Sequence, residues 1–122
     1  MSLSLGMLTF DCEDAARLAA FWSAVLDRPV DPGATADYAG IGAVDEGPDL
    51  VAWLFVRAPA GAGRASGRFH PDLTSPDWEA EADRVVALGA TLVARHAVGG
   101  VRWVALRDPE GNAFNIFAPR PR

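Results

Sequence analysis

An offset of 63 residues lays the second half of this chain over the first, and that duplication restricts the fold more than any other feature. It sets Asp14 against Asp77, Trp22 against Val85, Val25 against Leu88, Val30 against Val93 and Ile41 against Val104. It also brings Asp45, in the turn "DEGPD", onto Asp108, in "DPEGN". Two helix patterns and two turns fall in register without a gap, although few residues are identical. Such a chain reads as one supersecondary unit stated twice.

The elements within each copy follow from local chemistry. In "EDAARLAAFWSAVLD", Leu18, Phe21, Trp22 and Val25 recur at helical spacing, with Glu13 and Asp14 as acids of the first turn. In "SPDWEAEADRVVALG", Ser75 can cap, Pro76 suits the first helical position and Gly89 is a terminator. Trp78, Ala82, Val85 and Leu88 form the apolar stripe of that segment. Helices are therefore predicted over 13–27 and 76–89. Each follows a short strand-like run, "MLTFD" (7–11) or "FHPDL" (69–73). Further strand candidates come after each helix: "YAGIGAV" and "LVAWLFV" in the first copy, "ATLVARH", "GVRWVAL" and "NAFNIF" in the second. Asp108-Pro109-Glu110-Gly111 is a tight turn joining the last two antiparallel strands, with Pro second and Gly fourth. Between the copies, "APAGAGRASGR" (58–68) is small and Gly/Ala-rich, as a connection.

Strand parity assigns the faces, because alternate side chains point to opposite sides of a sheet. Leu8, Phe10, Val51, Trp53, Phe55, Leu73, Phe114 and Ile116 make an apolar set expected under the helices. The other set is Met7, Thr9, Asp11, Leu50, Ala52, Leu54, His70, Asp72, Thr74, Ala113, Asn115 and Phe117. It mixes polar with apolar groups, as a partly wet cavity does. The face of Trp103 is left open by this reasoning.

Bulk composition excludes several classes of function. The formal charge of −5 opposes binding to nucleic acid or to an anionic membrane surface. One cysteine, Cys12, forbids an internal disulfide and suits a reducing cytoplasm. No apolar run approaches the length of a membrane span, and "MSLSLGMLTF" lacks the basic and apolar regions of a secretory signal. A single cytoplasmic domain is expected, with no nucleic-acid and no membrane partner.

The segments "DCEDAARLAAFWSAVLDRPV", "FHPDLTSPDWEAEADRVVALGA" and "WVALRDPEGNAFNIF" resemble the glyoxalase / bleomycin-resistance / extradiol-dioxygenase superfamily, the vicinal-oxygen-chelate fold. They are most similar to glyoxalase-like proteins of Gly/Ala/Arg-rich bacterial proteomes. The resemblance implies an α+β fold of two βαβββ modules forming a cupped mixed sheet, with helices on the outer face. It places one domain over 1–122, with module one about 4–57, a connector at 58–67 and module two about 68–119. It also implies a homodimer. In metal-dependent members, ligands come from the first and last strands of each module. Carried over by motif, those positions are Met7, Ala52, His70 and Asn115, of which only His70 matches the family pattern. One imidazole and one amide oxygen make a poor divalent site. No metal and no cofactor is therefore expected.

The candidate ligand-binding residues are Thr9, Asp11, His70, Asp72, Asn115 and Trp103, with His70 and Asp72 the candidate catalytic pair. The leading expectation is a metal-free protein that binds a small organic molecule in the cupped sheet. The alternative is an enzyme of the same superfamily, an isomerase, lyase or hydrolase, using His70 with Asp72 or Asn115. Cys12 has no basic neighbour in sequence to activate it as a nucleophile. Arg57, Arg64 and Arg68 flank the connector and read as solvated surface, as does His96.

Overall fold

Period-two and period-3.6 patterns alternate along the chain, and a computed structural model realises them as nine elements among the described residues. These are β1 (Met7–Cys12), α1 (Ala15–Leu26), β2 (Tyr38–Ile41), β3 (Ala52–Arg57), β4 (Asp72–Thr74), α2 (Trp78–Leu88), β5 (Thr91–Val98), β6 (Val101–Arg107) and β7 (Ala113–Phe117). The structure describes residues 5, 7–43, 51–58 and 70–119. The turn "DEGPD" and the connector from residue 59 onward lie outside the described residues. The chain divides into two compact units, Met1–Ala62 and Gly63–Arg122.

In unit 1 the sheet order is β1-β3-β2, with β1 parallel to β3 and β2 antiparallel to it. In unit 2 the order is β4-β7-β6-β5, with β4 parallel to β7 and the other pairs antiparallel. The two connectivities superpose, and the offset of 63 carries the start of α1 onto the start of α2. Where unit 2 has β5, unit 1 has one isolated antiparallel bridge, Val30 to Ile41. Val30 is flanked by Pro29 and Pro32. Neither proline has an N–H to extend a ladder, so the strand is reduced to a single pair.

Asp14 is the N-cap of α1, in extended conformation, and its carboxylate accepts the Arg17 amide at 3.2 Å. The acids expected inside the first turn thus lie at and before the cap, where they satisfy a free helix N–H. Ala15, Leu18, Ala19, Phe21, Trp22 and Val25 are buried. Trp22 packs on Phe10 and Trp53 with ring centroids 5.8 and 5.0 Å apart, and Phe10 stacks on Phe55 at 5.2 Å. Rings from one helix and two strands therefore make the core of unit 1, each fully buried side chain contributing about 1.5–3 kcal/mol.

Unit 2 is packed with smaller groups. Ala82 and Val85 of α2 are buried against Val104, Leu106, Phe114 and Ile116. Trp78 is half-buried beneath the Arg102 guanidinium, 5.6 Å from its ring centroid. Leu88 is 41% exposed, so the expected stripe narrows at its C-terminal end. Ser75 accepts the Asp77 amide at 3.1 Å, one step before the helix, and Pro76 lies in that turn rather than at the first helical position. Gly89 ends α2 at φ 126°, a left-handed-side conformation that favours glycine.

The β6–β7 turn is built around one buried carboxylate. Gly111 N–H donates to Asp108 O at 2.9 Å, closing the expected four-residue turn. Asp108 Oδ1 accepts the amides of Glu110 and Asn112, each at 2.9 Å, and Asn112 Nδ2 donates to both carboxylate oxygens. Asp108 thereby helps to fix the register of the β6–β7 pairs.

Candidate functional site

Burial on α2 selects one face of the unit 2 sheet, that of Val104, Leu106, Phe114 and Ile116. Alternation then sends Asp72, Thr74, Trp103, Ala105, Asn115 and Phe117 to the opposite, open face. Ladder register arranges that face in two adjacent rows. Ala94, Ala105, Asn115 and Asp72 form one; His96, Trp103, Phe117 and Thr74 form the other.

In the first row Asn115 stands opposite Asp72. Asn115 Nδ2 donates to Asp72 Oδ1 at 2.9 Å, and His70 Nδ1 lies 3.0 Å from the same oxygen. A carboxylate has no proton to give, so Nδ1 carries the hydrogen and donates it. The 3.3 Å approach of Asn115 Nδ2 to His70 Nδ1 is then a meeting of two donors at a shared acceptor. Neutral His70 is held with Nδ1 protonated and the Nε2 lone pair turned away from Asp72. The pair is accessible, with His70 and Asp72 side chains 43% and 50% exposed.

His70 precedes β4, which begins at Asp72 rather than spanning the expected 69–73. Pro71 accounts for the short strand. It has no amide hydrogen, although its carbonyl accepts the Asn115 N–H at 3.0 Å. Residue 69 lies outside the described residues.

The second row is aromatic. His96 stacks on Trp103 with centroids 4.9 Å apart and planes 25° apart; Trp103 stacks on Phe117 at 5.2 Å and 19°. This settles the face of Trp103, which parity along its own strand left open. His96, the last residue of the strand candidate "ATLVARH", reads from sequence as solvated surface, and neither it nor Phe117 is among the candidate ligand-binding residues. The signal was nonetheless present in the turns. Gly99 and Gly100, both at positive φ, form a two-residue hairpin that pairs Val98 with Val101. Counting outward reaches His96 opposite Trp103. The same count from the Asp108 turn reaches Trp103 opposite Phe117.

In unit 1, Thr9 and Asp11 are exposed on the face of β1 opposite the one that bears Phe10, and they pair with Leu54 and Val56. The structure thus brings His70, Asp72, Asn115 and Trp103 onto one face of unit 2, while Thr9 and Asp11 belong to unit 1. Cys12 is buried, with its Sγ donating to Val56 O at 3.5 Å, which removes it from solvent. Arg57 pairs with Asp37 at 3.4 Å on open surface. Arg64 and Arg68 lie outside the described residues.

The four positions that the resemblance assigns to metal ligands do not fit a divalent ion. Met7 and Ala52 face one another in the β1–β3 ladder and offer a thioether and a methyl group. In unit 2, His70 Nδ1 is engaged by Asp72, and Asn115 offers only a neutral amide oxygen. Among the described residues no group of three or more His, Cys, Asp and Glu side chains is placed to hold a metal. No helix among them is long and apolar enough to cross a membrane.

The model of the glyoxalase-like domain matches residues 7–117. Among solved structures, the chain is similar to a glyoxalase/bleomycin resistance protein/dioxygenase family enzyme from Burkholderia phytofirmans PsJN. That likeness has TM-score 0.77 and 17% identity, covering 95% of this chain and 98% of that one. It is also similar to the genomically encoded fosfomycin resistance protein FosX of Listeria monocytogenes, with TM-score 0.74, 13% identity and coverage of 98% and 96%. Lactoylglutathione lyase from Agrobacterium tumefaciens gives TM-score 0.68, 17% identity and coverage of 97% and 95%. At these identities the likeness carries the fold alone. No curated protein matches the sequence.

Proposed function

Because the chain belongs to the glyoxalase-like domain family, we propose that it binds a small organic molecule on the open sheet face of unit 2, without a resident divalent metal. One observation carries this reading: a solvent-accessible hydrogen-bonded triad, His70, Asp72 and Asn115, lies beside a row of stacked rings. Binding sites combine apolar area with a few placed polar groups, and this face has both. The chain works as a homodimer in a reducing cytoplasm. The support for a dimer is family membership and the open β5 edge, where Leu92, Val93 and Val98 are exposed. The support for the compartment is that Cys12 is the one cysteine of the chain, so no internal disulfide can form.

A thermal-shift screen of metabolites and antibiotics tests the reading, since a ligand that binds only the folded state raises Tm by mass action. Hits are expected to lose their effect in His70→Ala or Trp103→Ala. Hits unaffected by both substitutions would remove the site.

A second reading is favoured by the 3.0 Å contact from His70 Nδ1 to Asp72. A carboxylate that orients an imidazole leaves Nε2 as a general base, so the same face would serve an isomerase, lyase or hydrolase. Several structural neighbours are enzymes by name, among them the lyase above. Mass spectrometry of a recovered hit separates the two readings: an unchanged molecule supports binding, and a converted one supports catalysis lost in His70→Ala.

A further inference from the structure

Resting on the reading that this face holds a ligand, we infer that the ligand is an aromatic amine, its ring over the Ala105 floor beside Trp103 and its cationic nitrogen at Asp72. The argument is an inventory of what the triad still has to offer. Asp72 Oδ1 is occupied by His70 and Asn115, which leaves Oδ2 without a partner among the described residues. Asn115 gives one Nδ2 hydrogen to Asp72, keeping its other amide hydrogen and its Oδ1 open. His70 donates through Nδ1 and presents the Nε2 lone pair. With His70 neutral, three of these four open positions are hydrogen-bond acceptors, and one is a carboxylate oxygen. A ligand group facing them must therefore be a donor, and a positive one gains most. An anion would meet the Asp72 charge and one neutral donor, the second Asn115 amide hydrogen. Among the described residues the arginine on this face is Arg107, which lies in the next row opposite Ala113 and donates to Gly111 O at 3.0 Å.

The rest of the ligand is set by the neighbouring side chains. Ala94 and Ala105 stand opposite one another in the row that ends at Asn115 and Asp72. Their small side chains leave a low strip, bounded on one side by the taller His96–Trp103–Phe117 row. A flat ring fits on the strip against the edge of Trp103. Strands are spaced about 4.8 Å apart, so a ring over Ala105 places a two-carbon side arm within reach of Asn115 and Asp72.

The chain contains two asparagines and no glutamine, so a ¹⁵N-labelled sample gives two side-chain amide pairs, from Asn112 and Asn115. Asn112 is locked by Asp108 and serves as an internal control. The probes are tryptammonium and indole-3-propionate, which share a ring and differ in charge. Tryptammonium is expected to move the Asn115 pair saturably, at least about tenfold tighter than the propionate, and to leave the Asn112 pair in place. Asp72→Asn is expected to abolish the preference, and Asn115→Asp, which adds a second carboxylate, to increase it. Equal or tighter binding of the propionate at Asn115 would overturn the charge assignment while leaving the face as a binding site. If neither probe moved the Asn115 pair, the aromatic-amine inference would fall, and the screen above would decide separately whether the face binds anything.

Discussion

Asn115 stands opposite Asp72 in the parallel β4–β7 ladder, although the internal repeat would set it opposite His70, as Met7 is set opposite Ala52 in unit 1. The ladder of unit 2 is displaced by two residues relative to its counterpart. A shift of one residue would have sent Asn115's partner to the other face, whereas a shift of two preserves the face and changes only the neighbour. The consequence is chemical: a carboxylate, rather than an imidazole, sits against the Asn115 amide, and it gathers both neighbours onto one oxygen.

That arrangement predicts the tautomer of His70. In wild type, two-bond ¹H–¹⁵N spectra of neutral His70 should report the Nδ1–H form. Asp72→Ala removes the acceptor and should return the ring toward the mixture typical of a free imidazole. Stability should change little, by less than about 1 kcal/mol, because the groups are half-exposed and screened. A wild-type His70 with Nε2 protonated would contradict the geometry.

Asp108 should matter far more to folding than the triad does. It is 3% exposed and accepts from two backbone amides and the Asn112 side chain. Asp108→Ala leaves those donors without a partner inside the turn, at a cost of about 2 kcal/mol. Urea unfolding should show a lower midpoint, and the Asn115 amide pair should move, since this turn sets the register of β7.

The same reasoning shows which parts of the molecule were legible in the sequence. Trp22 and Val85, paired by the offset of 63, are both buried, as are Ile41 and Val104, because the apolar period alone decides their faces. Val25 and Leu88 are also paired, yet Val25 is 8% exposed and Leu88 is 41% exposed. Periodicity marks the stripe but not how much of the sheet lies beneath it. Parity along β4 and β7 puts Asp72 and Asn115 on one face, whereas His70, which precedes β4, joins them through its hydrogen bond to Asp72. The aromatic row did not follow from parity, since His96, Trp103 and Phe117 meet only through the registers of two hairpins.

The contrast between Val25 and Leu88 predicts unequal costs for one truncation. Val25→Ala removes buried methyls and should destabilise by about 1–2 kcal/mol, whereas Leu88→Ala should cost about 0.5 kcal/mol or less. Chemical unfolding of the two variants measures the difference directly. Equal losses would mean that the exposed end of α2 is covered in solution.

A covering of that kind is expected at β5. Leu92, Val93 and Val98 leave 40%, 52% and 66% of their surface exposed on a strand that has no neighbour on its outer edge among the described residues of unit 2. Light scattering should give a homodimer at tens of micromolar, an order of magnitude chosen above weak-dimer dissociation constants. Val93→Lys with Val98→Lys places charge on that edge and should shift the mass to that of a monomer without loss of helical signal. A wild-type monomer would remove the dimer from the proposal.

The metal prediction turns on one side chain. A divalent site of the metal-dependent type needs about three protein ligands of His and carboxylate character. Met7 and Ala52 supply none, and in unit 2 the Asn115 amide is a weak donor beside a His70 already bound to Asp72. Purified protein should therefore carry far less than one equivalent of Zn, Ni, Fe or Mn by elemental analysis. Asn115→Glu replaces the amide with a carboxylate next to His70 and Asp72, and it should raise zinc affinity at least about tenfold by creating a two-carboxylate, one-imidazole set. Like charges opposite Asp72 should also lower stability when metal is absent, and added zinc should restore it. One tightly held metal per wild-type chain, lost in His70→Ala, would show that ligands beyond these four positions complete a site.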